Sequence, residues 1–194
     1  MVKQTLSKQT VEVPEEVTLE IKSRVVTVKG PKGELVKSFR KFPVQILAER
    51  NEAGRITSVT VRRWFSNSKE KSCVNSVRKH IMNMINGVQR EFKTVMKYGY
   101  KFFGMKLQTL EDGKVLEIQK FAGRLGKVYV RAVEGVRISL STDETKKEIE
   151  VIGMDVDSVG LTCSLINQSC KYRDLDRRIF LDGIYIFERK FADE

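Results

Sequence analysis

The strongest constraint on the fold is an alternation of apolar and polar residues that occurs twice, far apart in the chain. The alternation at residues 17–21 recurs at residues 136–140. Each segment is followed by a polar turn and then by a second alternating segment, residues 26–30 in the first copy and 149–153 in the second. Alternation at period two is typical of half-buried strands. Each copy therefore predicts a β-hairpin, and the repetition indicates a duplicated module.

A helix is predicted after each hairpin region. Asn67 is a good N-cap with Glu70 at the capping-box spacing. Apolar residues then recur at helical spacing up to Val88, and Gly87 suits the end of the helix. The second helix is expected at about residues 158–168.

These elements predict an α+β fold of two tandem duplicated modules, each an antiparallel or mixed β-sheet with one helix packed on it. We place the first module at residues 1–87, the second at residues 88–190, and a short tail at residues 191–194. Between the strands, Gly30-Pro31-Lys32-Gly33 predicts a tight turn, which we interpret as structural.

Positive charge is concentrated in one part of the chain. The 194 residues have a formal net charge of +11. Residues 61–110 contain 11 basic and 2 acidic side chains, whereas residues 111–194 contain 14 basic and 16 acidic ones. A local excess of this kind indicates a polyanionic partner such as nucleic acid.

Several classes of protein are disfavoured by the composition. No run of ~18 apolar residues is present, and the first residues do not form an apolar signal segment. Cys73, Cys163 and Cys170 are an odd number without Cys-x-x-Cys spacing, which favours a reducing compartment and disfavours a disulfide framework or a zinc site. We expect no membrane association, no cofactor, no metal and no small-molecule substrate.

The segment from Phe92 to Phe102 combines aromatic and basic residues in alternation. Its even positions are mostly aromatic or apolar, and its odd positions include Lys93, Lys97 and Lys101. We interpret the aromatic side as core and the lysines as the solvent-facing side, and we likewise interpret Trp64 as a core anchor. The alternative is a stacking platform for single-stranded nucleic acid, and the lysines can contact phosphates in either case.

Two Asp-x-Asp pairs leave an enzymatic alternative open. Asp155 with Asp157, and Asp174 with Asp176, could hold a metal ion in an RNA-processing enzyme. We favour helix capping for the first pair and ion pairing with neighbouring arginines for the second. A free regulatory RNA-binding protein is the other alternative.

Four segments together resemble a known family, universal ribosomal large-subunit protein six, which is numbered nine in eukaryotes. They are Val26–Gly33, Trp64–Phe65 with Asn67 and Glu70, Asp155–Leu161, and Arg177–Tyr185, the last of which resembles the eukaryotic form. The resemblance covers nearly the whole chain and is weakest over residues 88–128. It implies two similar α+β domains that bind large-subunit ribosomal RNA near the sarcin–ricin loop and the stalk base, where translational GTPases dock.

We therefore expect a non-enzymatic constituent of the large ribosomal subunit, with ribosomal RNA and neighbouring ribosomal proteins as partners and translational GTPases nearby. The expected location is the cytoplasmic ribosome, with assembly in the nucleolus if the chain is eukaryotic. Basic side chains would contact phosphates, which position the protein on its RNA. The candidate RNA-binding residues are Lys97, Lys101, Lys106, Arg124 and Lys127, followed by Lys171, Arg173, Arg177 and Arg178.

Overall fold

The chain divides into two compact units, Met1–Arg90 and Glu91–Glu194. The structure is a computed structural model, and the residues that it describes are 5–52, 54–101, 104–141, 147–172, 175–176 and 178–193. Every strand pairing among these residues is antiparallel. None of the helices in this part of the chain is both long and apolar enough to cross a membrane.

Unit 1 contains six strands in two small sheets, followed by one helix. The elements are β1 (Leu6–Glu12), β2 (Thr18–Lys22), β3 (Val25–Gly30), β4 (Gly33–Ser38), β5 (Gln45–Arg50), β6 (Ile56–Trp64) and α1 (Ser68–Gln89). The strand orders are β1-β6-β5 and β2-β3-β4. The alternation at residues 17–21 and 26–30 thus forms the β2–β3 hairpin, as its period predicted.

Helix α1 covers both sheets of unit 1 with a single apolar stripe. It packs against β1 and β6 of one sheet and against β3 and β4 of the other. A fully buried valine or isoleucine contributes about 1.5–3 kcal/mol relative to exposure, so this stripe is a major part of the unit's stability. The buried residues of the stripe are Val74, Val77, Ile81, Met84, Ile85, Gly87 and Val88.

The start of α1 is fixed by the predicted capping residues. The backbone N–H of Asn67 donates to Oε2 of Glu70 at 3.1 Å, which is the capping-box arrangement. Nη2 of Arg63 donates to Oε1 of the same carboxylate at 2.6 Å. The Arg63 hydrogen bond, followed by the Asn67 hydrogen bond, lowers the pKa of Glu70, so this cap is ionised at neutral pH.

The described residues of unit 2 form six strands and one α-helix in the same chain order, with a short 3-10 helix at Phe121–Gly123 and one additional strand at the end. The elements are β7 (Phe92–Gly99), β8 (Lys106–Leu110), β9 (Val115–Gln119), β10 (Val128–Arg131), β11 (Val136–Leu140), β12 (Glu148–Gly153), α2 (Val156–Ser169) and β13 (Gly183–Phe191). The strand orders are β8-β9-β10 and β11-β12-β7-β13. Helix α2 packs against β7, β11, β12 and β13 of one sheet and β10 of the other.

The expectation of two similar α+β modules is confirmed, but the predicted correspondence between their hairpins is wrong. When β1–β6 and α1 are matched in order with β7–β12 and α2, the two strand orders of unit 1 become the two strand orders of unit 2. In this match the β2–β3 hairpin corresponds to β8–β9, whereas the sequence pattern paired it with β11–β12. Within unit 1, β1, β2 and β3 occupy the same positions in their sheets as β4, β5 and β6, and unit 2 repeats this arrangement. A hairpin from one half of a module can therefore resemble a hairpin from the other half in sequence.

The compact units divide after Arg90, close to the division near residues 87/88 that the sequence predicts. Gly87 is buried within α1, which ends at Gln89. Phe191, the first residue of the predicted tail, is the last residue of β13, and its ring lies 5.3 Å from that of Phe92.

The turn between β3 and β4 is held against the end of α1. Gly30 and Gly33 are Cα partners across this two-residue turn, and the backbone N–H of Lys32 donates to the carbonyl of Val88 at 3.0 Å. A Cβ atom on Gly30 would lie 2.7 Å from Cγ2 of Val88, so only glycine fits this close approach. The contact supports the structural interpretation of this turn.

Replacing Gly30 with valine tests this contact. We expect Gly30→Val to lower the free energy of unfolding by about 1–3 kcal/mol, because the added side chain overlaps Val88. Lys32→Ala is the control, since it keeps the backbone N–H and removes an exposed side chain, and it should change the free energy by no more than about 0.5 kcal/mol. Urea unfolding of both variants decides the comparison, and equal midpoints would contradict it.

Candidate nucleic-acid interface

Two loops of unit 2 emerge at the same end of the β8-β9-β10 sheet. Lys106, the first residue of β8, is the Cα partner of Gln119, the last residue of β9. Val128, the first residue of β10, is the partner of Ile118. The chain that enters β8 and the loop at residues 120–127 therefore lie side by side.

A small aromatic and carboxylate cluster brings a third segment to this end. The ring of Tyr172, just after α2, lies 5.3 Å from Phe121 and 5.7 Å from Phe180. Its hydroxyl donates to Oδ2 of Asp182 at 3.3 Å, while Oδ1 of Asp182 accepts the backbone N–H of Lys101 at 3.0 Å. Burial, and then the Asp182 charge, raises the pKa of Tyr172, so its hydroxyl stays protonated and able to donate.

We call the resulting surface the basic end of unit 2. Its carboxylates Asp182 and Asp176 are used in local hydrogen bonds, Asp176 accepting the backbone N–H of Arg178 at 2.9 Å. Most of its basic side chains are exposed, and Lys171 is half-buried. The basic residues that define this end are Lys101, Lys106, Lys120, Arg124, Lys127, Lys171 and Arg178.

Lys120 is a member of this cluster that sequence reasoning missed. It is exposed and has a φ of +57° at the start of the loop after β9. A left-handed backbone is uncommon for lysine, and it makes the chain turn sharply at this point. The only sequence signal was its position next to the Phe121–Lys127 loop, since no periodic pattern includes it.

Lys97 lies elsewhere, on the face of the other sheet of unit 2. Its Nζ is 3.3 Å from Oε1 of Glu148 on the neighbouring strand β12 and 3.5 Å from the centroid of the Phe187 ring. Lys93 makes a similar pair with Glu150 at 2.7 Å. The lysine side of β7 is therefore largely neutralised by β12, and the structure does not bring Lys97 together with the loop residues.

The aromatic side of β7 packs as core within the residues described. Met96 is fully buried, Thr94 is buried, and Tyr98 packs against the core of unit 2. Tyr100 follows the strand and is partly exposed, and Phe102 lies outside the described residues. In unit 1, by contrast, the interpretation of Trp64 as a core anchor is wrong, because it ends β6 with 47% of its surface exposed.

The Asp-x-Asp pairs have structural roles where they are described. Asp155 caps α2, accepting the backbone N–H groups of Asp157 at 3.3 Å and Ser158 at 3.1 Å. Within the described residues there is no group of three or more histidine, cysteine or acidic side chains that could hold a metal. Three residues of these predictions, Asp174 and the candidates Arg173 and Arg177, lie outside that part of the chain.

One buried carboxylate holds the basic loop in place. Glu117, in the central strand β9, is 4% exposed, and Oε1 lies 2.7 Å from Nζ of Lys127. The same oxygen accepts hydrogen bonds from Nε2 of Gln119 at 3.0 Å and from the hydroxyl of Tyr129 at 3.5 Å. The Lys127 hydrogen bond lowers the pKa of Glu117, and this partner raises the pKa of Lys127. Both groups are charged at neutral pH, and Lys127 is fixed at the base of the loop.

The Glu117 pair makes stability depend on pH in a defined direction. Because the folded pKa of Glu117 is below its unfolded value, its stabilisation is present above about pH 4.3 and is lost as the pH falls through the lowered pKa. We expect Glu117→Gln to unfold at a lower temperature than wild type at neutral pH, with the difference shrinking in acid. Glu134→Gln, at an exposed position of the same unit, is the control. A difference that grows in acid would contradict the assignment.

Comparison with known proteins identifies a family for this chain. Basic side chains clustered on one surface are a feature of nucleic-acid-binding proteins. The family model described as Ribosomal protein L6 matches residues 13–91. Large ribosomal subunit protein uL6 of Tetrahymena thermophila is 35% identical over 187 residues, covering 96% of both chains.

Further relatives are similar along nearly the whole chain. The uL6A protein of Saccharomyces cerevisiae is 35% identical over 192 residues, covering 97% of this chain and 96% of that protein. The uL6 protein of Aeropyrum pernix is 36% identical over 181 residues, covering 93% of both. The chain therefore belongs to the uL6 family of large-subunit ribosomal proteins.

Proposed function

We propose that this chain is a structural constituent of the large ribosomal subunit that binds ribosomal RNA through the basic end of unit 2. Family membership makes it a ribosomal, non-enzymatic protein whose partners are ribosomal RNA and other ribosomal proteins. The observation that supports the RNA surface is the meeting of three loop segments at one end of the β8-β9-β10 sheet. Asp155, used in capping α2, gives no support to the alternative of a metal-dependent enzyme.

The basic end suits RNA phosphates because most of its basic side chains are exposed while their backbones are held. Lys106 begins a strand, Lys127 is ion-paired at the base of its loop, and the backbone N–H of Arg124 donates to the carbonyl of Phe121 at 3.0 Å. Lysine and arginine on such a frame contact phosphates without selecting a sequence, and a folded RNA is recognised by its shape.

The position on the ribosome follows from the family resemblance. We infer that the basic end meets large-subunit RNA near the sarcin–ricin loop and the stalk base, with translational GTPases as neighbours in the assembled ribosome. If the chain is eukaryotic, its assembly into the subunit takes place in the nucleolus.

Salt-dependent binding tests the location of the RNA surface. Each lysine or arginine that neutralises a phosphate contributes about 0.7–0.9 to the slope of log affinity against log salt. We expect the double variant Lys106→Gln/Arg124→Gln to flatten that slope by about 1.5 in binding to a large-subunit RNA fragment.

The matched control lies at the opposite end of the same sheet. Lys114 and Arg131 are also exposed, and Arg131 is the Cα partner of Val115, at the other end of β9. Lys114→Gln/Arg131→Gln removes the same charge from the same unit and should leave the slope nearly unchanged. Equal flattening by the two double variants would show that net charge, not the basic end, determines the affinity.

Incorporation into ribosomes tests the wider proposal. A tagged copy of the chain should sediment with large subunits at near-unit stoichiometry and remain there after a high-salt wash. A predominantly free pool bound to other RNAs would instead favour the regulatory RNA-binding alternative.

A further inference from the structure

A second surface, on unit 1, has the chemistry of a nucleotide site and is not used by the basic end of unit 2. Trp64 is 47% exposed and Phe65 is 79% exposed at the end of β6. Two adjacent large aromatic residues form an exposed apolar patch, which is a candidate binding surface. Phe65 also has a φ of +47°, in the left-handed region that bulky residues seldom occupy. Its backbone N–H is fixed by donation to the carbonyl of Thr5 at 2.8 Å.

Trp64 forms one wall of a surface pocket of about 340 Å³ that also contains three arginines. A volume of this size lies within the range of small-ligand sites, about 300–1,000 Å³. The other polar side chain that lines it is Gln45, whose Oε1 accepts a hydrogen bond from Nε of Arg62 at 3.2 Å. The guanidinium carbon of Arg62 lies over the Trp64 ring, 5.9 Å from its centroid, in a cation–π contact that leaves the other face of the indole for a ligand.

The three arginines of the pocket differ in what they already bind. Arg63 is committed to the protein, because it pairs with Glu70 at 2.6 Å and also donates to the carbonyl of Pro43. Arg24 donates one N–H to the carbonyl of Phe42 at 3.0 Å, and Arg62 donates one to Gln45. Each guanidinium has five N–H donors, so both retain donors for a ligand.

Charge complementarity selects an anionic ligand for this pocket. In the part of unit 1 that the structure describes, no carboxylate is paired with Arg24 or Arg62. Arg24 is placed at the rim by the β2–β3 turn, where it has a φ of +63°. Guanidinium groups bind phosphate through paired N–H donors more strongly than they bind neutral acceptors.

The aromatic wall distinguishes between anionic ligands. An acidic peptide would satisfy the arginines but would leave the indole face that Arg62 does not cover without a flat partner. An unpaired nucleotide satisfies both, because its base stacks on an aromatic ring while its phosphate accepts from the arginines. A base-paired nucleotide does not, since its faces are already stacked within the helix.

We propose that the pocket formed by Arg24, Gln45, Arg62 and Trp64 is a second RNA-binding site, specific for an unpaired ribonucleotide. The base stacks on Trp64, and Arg24 and Arg62 bind the flanking phosphate. This site goes beyond the surface proposed on unit 2, and its contacts are independent of that surface.

The test uses the full chain, whose single tryptophan is Trp64 and reports on this pocket alone. Titration with a short single-stranded oligoadenylate should quench the Trp64 fluorescence to saturation, and a duplex RNA of the same length should quench it far less. Arg24→Gln/Arg62→Gln should weaken the affinity measured by this quenching by about tenfold or more, as expected for losing two charge-assisted contacts. Thermal unfolding of each variant checks that the fold is retained.

Two control variants distinguish binding at this site from a general effect of net charge and from binding at the basic end of unit 2. Arg50→Gln/Lys79→Gln removes the same charge from exposed positions of unit 1 that do not line the pocket and should leave the quenching affinity unchanged. Lys106→Gln/Arg124→Gln should also leave it unchanged, so that failure of the unit 2 surface and failure of this site are distinguishable. Absence of quenching, equal weakening by the two unit 1 pairs, or equal quenching by a polyglutamate peptide would overturn the proposal.

Discussion

In each unit, one helix packs on two small antiparallel sheets and supplies the burial that neither sheet has by itself. Small sheets of three or four strands need their apolar face covered to be stable in water, and here the helix covers it. Helix α1 contacts strands of both sheets of unit 1, and α2 does the same in unit 2. The closeness of this packing is seen at Gly30, where the β3–β4 turn touches Val88 at the end of α1. Because the sheets are fixed in this way, the loops at their ends have defined positions.

The pairing of the strands determines which basic side chains have an acidic neighbour and which lie at a loop end. Lys97 and Lys106 are nine residues apart and both are lysines of the basic middle segment, yet they have different environments. The register of β7 with β12 places Lys97 opposite Glu148, which pairs with it, whereas Lys106 begins a strand at a loop end. Lys127 is also ion-paired, with the buried Glu117, but this pair lies at a loop end and holds the lysine beside the other basic loop residues. Local net charge therefore does not identify which basic side chains lie at loop ends and which pair with acidic residues across a sheet.

Several elements were predictable from local patterns. Period-two alternation gave the β2–β3 hairpin, and the spacing of Asn67 and Glu70 gave the start of α1. The interpretation of Trp64 failed because local patterns do not specify what lies opposite. Trp64 ends an alternating strand and was expected in the core, but it lies at the exposed end of β6. The end of α1 was close to the prediction, since the apolar stripe was expected to reach Val88 and the helix ends at Gln89.

The sequence by itself determined the α+β class, the two modules, the helix caps and the polyanion-binding character, because these depend on periodicity, capping chemistry and charge. Only the tertiary structure decided which hairpins of the two modules correspond, because the order of the strands in the sheets, not their local alternation, defines the match. The tertiary structure also decided which basic side chains lie together. Lys101, Arg124 and Lys171 are far apart in the chain, and strand register together with the contacts of Tyr172 and Asp182 brings them to one end. Non-local pairing of this kind leaves no periodic trace in the sequence.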